Sequence, residues 1–184
     1  MAVPREACLE AAAALGCDVA TIQAVADVES GGRTDPTVFL FEPHWFSRLT
    51  NGHYDYLHPT LSYPRWDRAK YPRTRAARDA QFAAACKLDG DKAHQAASWG
   101  LFQIMGFNHA ACGYSSAEAM ADALKTSVAE NVRAFCHFIK ASGWAEYLAA
   151  RDWAGFARRY NGPGYAQNAY DRKLRAAWER YRSA

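Results

Sequence analysis

One carboxylate in this chain has surroundings that suit proton donation. Glu29 lies in Val28-Glu29-Ser30-Gly31-Gly32, at the end of an apolar helical stripe and directly before two glycines. The C-terminal end of a helix carries partial negative charge, and an apolar neighbourhood penalises a carboxylate's charged form. Both effects raise a pKa. A carboxylic acid still protonated near neutral pH can donate to a leaving group, as cleavage of a glycosidic bond requires. A Glu near a helix end is also an ordinary solvated or capping residue, so its role depends on what stands around it.

Two other segments place polar groups in unusual company. Ser98-Trp99-Gly100-Leu101-Phe102-Gln103-Ile104-Met105-Gly106 sets a hydroxyl and an amide in an apolar run. Amide side chains donate and accept at once, which suits the acetamido and hydroxyl groups of sugars. Arg159-Tyr160-Asn161-Gly162-Pro163-Gly164-Tyr165 contains two turn dipeptides, Asn-Gly and Pro-Gly. Taken singly, the first segment reads equally well as a buried helix with a polar cap, and the second as a turn. Metal chemistry finds no support: none of the six histidines shows His-x-x-x-His spacing. The five cysteines (Cys8, Cys17, Cys86, Cys112, Cys136) form no Cys-x-x-Cys pair and read as reduced, buried small hydrophobes. No metal and no cofactor is implied.

The elements that must position these groups are mostly helical. Residues 4–15 read as a first helix, with Pro4 near its start and Gly16 just past its end. Asp18 can cap a second helix whose positions Val19, Ile22, Val25, Ala26 and Val28 line one face, and Gly31-Gly32 stops it. Thr37–Phe41 is short and β-prone, so a strand is expected, and Pro43 suits the first turn of a helix from His44 to Leu49. Residues 51–73, rich in Gly, Tyr, His and Pro, read as a long surface loop and a candidate binding segment. Further helices are expected at 74–88, 98–105, 115–124, 127–141, 152–160 and 166–181. The pattern predicts one mainly α domain over 1–184 with a small β element, in which 53–95 forms a small lobe or loop insertion.

The 184 residues suffice for one sizeable core. No apolar run approaches a membrane span, and Glu6 and Glu10 interrupt any secretory apolar region, so synthesis in a cytoplasm without a signal peptide and no stable membrane insertion are expected. The formal charge of +3 is mild, with basic residues gathered at Arg65–Arg78 and Arg158–Arg182. A weak positive field suits an anionic polymer such as a bacterial wall. No nucleic-acid-binding motif accompanies it. A monomer is expected.

Order and joint presence bind the motifs together. A helix-terminal Glu-Ser, a Gly-Leu-aromatic-Gln segment and a Tyr-Asn-Gly turn resemble the lysozyme-like superfamily, including lytic transglycosylases and goose-type lysozymes. More closely, VESGG, FLFEPHWFSRLTNG, SWGLFQIMGFNH and FARRYNGPGYAQNAYDRKL resemble the N-acetylmuramidase domain of phage endolysins, from about Ala24 to Leu174. The resemblance implies an α+β lysozyme-like fold, a helical bundle around a buried helix with the β element beside a cleft. It implies a peptidoglycan hydrolase acting on glycan strands after holin-type release from the host cytoplasm. In that reading Glu29 is the general acid at the β-1,4 bond between N-acetylmuramic acid and N-acetylglucosamine. Asp35 is the first candidate for the opposite group, and turn or cap residue before Pro36 is its other reading. Thr50 fits the threonine that helps hold the attacking water in phage lysozymes of the superfamily. Glu42 caps the short helix, pairs with His44 or an Arg, or touches substrate. Ser98 and Gln103 would line the cleft, and Tyr160 and Asn161 would face Glu29, the tyrosine hydroxyl tuning its pKa. Trp45, Trp66 and Trp99 could stack on sugars, with Trp66 in the sequence best suited to the surface. A lytic transglycosylase needs Glu29 alone, and a non-catalytic wall-binding module needs neither carboxylate.

Overall fold

The computed structural model describes residues 3–32 and 35–183. Helices α1 (Arg5–Leu15) and α2 (Val19–Ser30) come first, then strand β1 (Phe39–Phe41) and helix α3 (Pro43–Leu49). After a long turn-rich segment with one 3-10 turn at Arg68–Lys70 come α4 (Arg75–Leu88) and α5 (Gly90–Gln95). Strands β2 (Ala97–Trp99) and β3 (Ile104–Met105) form a hairpin. Helices α6 (Ala117–Thr126), α7 (Val128–Ala141), α8 (Ala145–Ala149), α9 (Trp153–Tyr160) and α10 (Tyr170–Arg182) complete the chain. The fold is mainly helical with one antiparallel sheet in the order β1-β2-β3.

Helix α2 is central because its sequence is apolar on more than one face. Ile22, Ala24, Val25 and Ala26 are all buried, and α2 packs against both α1 and α10. Its ends are fixed by the expected chemistry. Asp18 accepts from Thr21 N and Thr21 Oγ1, each at 2.7 Å, and so caps the first turn. At the other end Gly31 adopts φ 58, and Gly32 N donates back to Asp27 O at 3.2 Å. That left-handed step is cheap for glycine and satisfies the terminal carbonyls. It stops the helix one turn after Asp27 and leaves Glu29 in its last turn.

The expected helix at 98–105 is a strand-turn-strand instead. Ser98 pairs with Leu40 of β1 and with Met105 of β3. Gly100 and Gln103 both take positive φ, 68 and 50. Two left-handed residues within four cannot continue a right-handed helix. The tip is packed rather than loose. Asn131 of α7, 1% exposed, accepts from Leu101 N at 2.7 Å and donates to Leu124 O and Ser127 O. A Cβ on Gly100 would lie 1.9 Å from Asn131 Oδ1, so only glycine fits the tip.

The 51–73 segment is irregular, as its composition indicates, yet it is anchored. Asp55 accepts from Ser47 Oγ at 3.0 Å and from the buried Ser62 hydroxyl. Tyr54 Oη donates to Leu88 O at 3.0 Å, and Gln81 Nε2 to Thr60 O at 2.8 Å. The short helices α5 and α8 give too few periods to stand out in the sequence. The last helix starts at Tyr170 rather than 166, because a 3-10 stretch at Pro163–Asn168 and a left-handed Ala169 precede it.

Candidate functional site

Helices α2 and α9 meet at Glu29, and hydrogen bonds run on from α9 to the sheet. Its carboxyl accepts from Asn161 Nδ2 at 3.3 Å, and Asn161 is the residue that ends α9. The residue before it, Tyr160, is locked by aromatic packing. Its ring stacks on Phe156 at 5.4 Å and meets Phe135 edge-on at 5.8 Å. Its hydroxyl donates to Phe102 O at 2.9 Å, in the β2–β3 turn. Next in that turn, Gln103 Oε1 accepts from Ser98 Oγ at 3.0 Å while Gln103 Nε2 donates to Gly100 O at 2.8 Å. Ser98 Oγ also lies 3.4 Å from Leu40 O of β1. The three sequence motifs thus form one hydrogen-bonded arc from α2 through α9 to the sheet.

This arc changes two expectations. Tyr160 does not donate to Glu29; that bond comes from Asn161, and the tyrosine hydroxyl is spent on the hairpin. Ser98, 5% exposed, is turned inward to hold Gln103 and β1. Gln103 remains partly exposed, although both ends of its amide already serve the turn.

Burial sets the chemistry of Glu29. Its pKa is pushed from 4.5 to about 7 by desolvation, and the bond from Asn161 opposes part of that rise. The charge of Glu29 in turn raises the hydroxyl pKa of Tyr160 and Tyr170, after their own burial. Tyr170 therefore belongs to the acid's surroundings, a role its place at the start of an ordinary basic helix did not signal. Among the described residues no second carboxylate perturbs Glu29.

Asp35, Thr50 and Glu42 stand in separate local networks. Asp35 is exposed, accepts from Thr37 N at 2.9 Å and Thr37 Oγ1 at 2.6 Å, and pairs with Arg75 at 3.4 Å. The Thr37 hydrogen bonds, then Arg75, hold its pKa below the usual carboxylate value. Thr50 ends α3 and donates its hydroxyl to Phe46 O at 2.8 Å. Glu42 makes no capping bond to α3. Its carboxyl instead accepts from Tyr71 Oη and lies 3.4 Å from His44 Nδ1. Burial raises the Glu42 pKa and lowers that of His44. His44 Nδ1 is buried without an aligned hydrogen bond, so this contact is a close approach of weakly charged groups rather than a firm ion pair.

The five thiols are buried or half-buried, and burial raises the pKa of each. Such thiols are poor nucleophiles. Among the described residues no group of three His, Cys, Asp or Glu side chains could hold a metal ion. No single helix among them is long and apolar enough to cross a membrane.

Comparison with known proteins agrees with the geometry. The crystal structure of the Burkholderia AP3 phage endolysin matches with a TM-score of 0.87 and 37% sequence identity, covering 98% of this chain and 71% of that one. Among curated proteins no match was found. The family model for N-acetylmuramidase matches residues 18–182, a span that holds Glu29, the hairpin and Asn161 alike. The chain thus belongs to the N-acetylmuramidase family and is an endolysin-type glycoside hydrolase of peptidoglycan.

Proposed function

We propose that the protein cleaves the β-1,4 bond between N-acetylmuramic acid and N-acetylglucosamine, with Glu29 as general acid. One observation carries this reading: burial keeps the Glu29 proton up to a pKa of about 7 while the side chain stays partly open. A group with a pKa of about 7 still holds its proton in a large share of molecules near neutral pH and releases it readily. As the proton leaves, the bond from Asn161 strengthens on the new carboxylate, which offsets part of the cost of a buried charge.

A retaining mechanism needs a second carboxylate about 5 Å from the acid, and a charge so close would shift Glu29. Desolvation and Asn161 are its only perturbers among the described residues. An inverting route, with water as the nucleophile, instead takes a base farther from the acid. Asp35, kept ionised by Thr37 and Arg75, is the proposed base, and the hydroxyl oxygen of Thr50 the second ligand of the water. Gln103 touches the sugar, Ser98 acts by holding Gln103, and Glu42 acts from the neighbouring Tyr71 network. The engagement of Asp35 by Thr37 and Arg75 favours a second reading, in which Glu29 works alone and the muramyl 6-hydroxyl attacks. Release through a holin-type membrane lesion, and action as a monomer, complete the proposal.

The test is product analysis on purified peptidoglycan. Hydrolysis gives reducing-end muropeptides; the Glu29-only route gives 1,6-anhydro products. Glu29→Gln should clear permeabilised cells no faster than buffer. If it lyses them like wild type, the assignment of the acid fails. Full activity of Asp35→Ala or Thr50→Ala removes that residue from the mechanism.

A further inference from the structure

A groove meets the arc at β1, through Leu40. It has a volume of about 450 Å³ and is lined by Leu40, Trp66, Arg68, Tyr71, Pro72 and Arg78. Leu40 connects the two regions, since it pairs across the sheet with Ser98, whose hydroxyl donates to Gln103. The groove's make-up is unusual. Trp66 is 61% exposed, in a segment otherwise anchored by buried groups. Tyr71 forms a fixed wall, because its hydroxyl is held by the partly buried Glu42. Arg68 is exposed and makes no ion pair among the described residues, and Arg78 donates to the carbonyls of Pro72 and Arg73 rather than to a carboxylate. The neighbouring acids are occupied: Glu42 is held by Tyr71, Asp67 caps the 3-10 turn, and Asp35 and Asp79 both lie against Arg75. Among the described residues, neither of the two guanidiniums that line the groove pairs with a carboxylate.

We propose that this groove binds the acidic stem peptide of peptidoglycan, with Arg68 and Arg78 taking a peptide carboxylate and Trp66 covering its aliphatic part. Charge selects this occupant. The amino sugars of the glycan backbone offer amides and hydroxyls, whereas the peptide on the muramyl lactyl group carries carboxylates. Arg is suited to carboxylates through its planar, forked donors, and an exposed Trp supplies apolar contact with little loss of freedom. The inference rests on the muramidase reading above, which places a peptide-bearing muramyl unit on this chain. It gives the basic run at Arg65–Arg78 a task that the cleavage chemistry does not need.

The experiment compares kcat/KM on two substrates, glycan strands bearing stem peptides and the same strands stripped of peptides by an amidase, with each lactyl carboxylate so freed capped as its methyl amide. Wild type should prefer the peptide-bearing strands. Arg68→Glu should lower kcat/KM on these strands about tenfold, through KM, and leave the stripped strands unchanged. Trp66→Ala should also erode the preference, and added salt should weaken it in wild type but not in Arg68→Glu. Arg68 is exposed, so its variants should melt like wild type, and Arg68→Ala provides a milder second variant. No preference in wild type, or equal loss on both substrates in Arg68→Glu, overturns the inference while leaving the muramidase reading intact. A wild type that cleaves neither substrate, to reducing-end or to 1,6-anhydro products, overturns both.

Discussion

Replacing Glu29 by Gln keeps the side-chain shape and the bond from Asn161 but removes the proton equilibrium. Its effect on stability can be worked out from the burial that makes the residue an acid. The Glu29 pKa rises from 4.5 to about 7 on folding. Below pH 4.5 both folded and unfolded chains hold the proton, and this group costs nothing. As pH rises towards 7 the unfolded chain ionises first, so it binds fewer protons than the native state, and stability falls. Above the folded pKa the loss is complete, about 3 kcal/mol. Glu29→Gln carries no such penalty. It should match wild type in urea denaturation at pH 4 and exceed it by about 3 kcal/mol at pH 8, while being inactive at both. Wild-type activity should fall on the alkaline side with an apparent pKa near 7. A difference between the two proteins that is the same at pH 4 and pH 8 would refute the reasoning, because it would show that the carboxyl is not desolvated on folding.

Other variants probe the groups around the acid. Asn161→Ala removes the contact that lowers the Glu29 pKa, so the alkaline limb of the pH–rate profile should move to higher pH, and an unchanged limb would rule the contact out. Gly100→Ala should cost about 3 kcal/mol or more, because its Cβ would meet Asn131 Oδ1 at 1.9 Å and its φ is 68; thermal melting and lysis should fall together. Asn131→Ala leaves the Leu101 amide without its buried partner and should lower stability by about 2 kcal/mol. Asp55→Ala strips the Ser47 and Ser62 hydroxyls of their acceptor; limited proteolysis between residues 51 and 63 should accelerate, with about 2 kcal/mol lost overall.

Local chemistry in the sequence determined a good deal here. The Asp18 cap, the stripe of α2 and the Gly31-Gly32 stop are governed by contacts within a few residues, and these place Glu29 in the last turn of a packed helix. The β-prone run before Pro43 gives β1 and α3 for the same reason. The order of the three motifs pointed to the family that the whole chain matches. Asn131 left a trace as well, a polar residue among Val128, Val132 and Phe135 on the apolar face of α7, although its partners could not be read from it.

Only tertiary structure decided the remainder, because it depends on residues distant in the chain. The Ser98–Gly106 segment has a helical-looking apolar content, yet pairing with β1 and the Asn131 clasp make it a hairpin. Which group donates to Glu29 was settled by packing: Phe135 and Phe156 aim Tyr160 at the hairpin and leave Asn161 for the acid. The raised pKa has the same origin. A helix end can suggest a proton donor, but desolvation is a property of everything packed around the carboxyl, and only the folded chain brings Glu29 close enough to Tyr160 of α9 and Tyr170 of α10 for them to feel its charge.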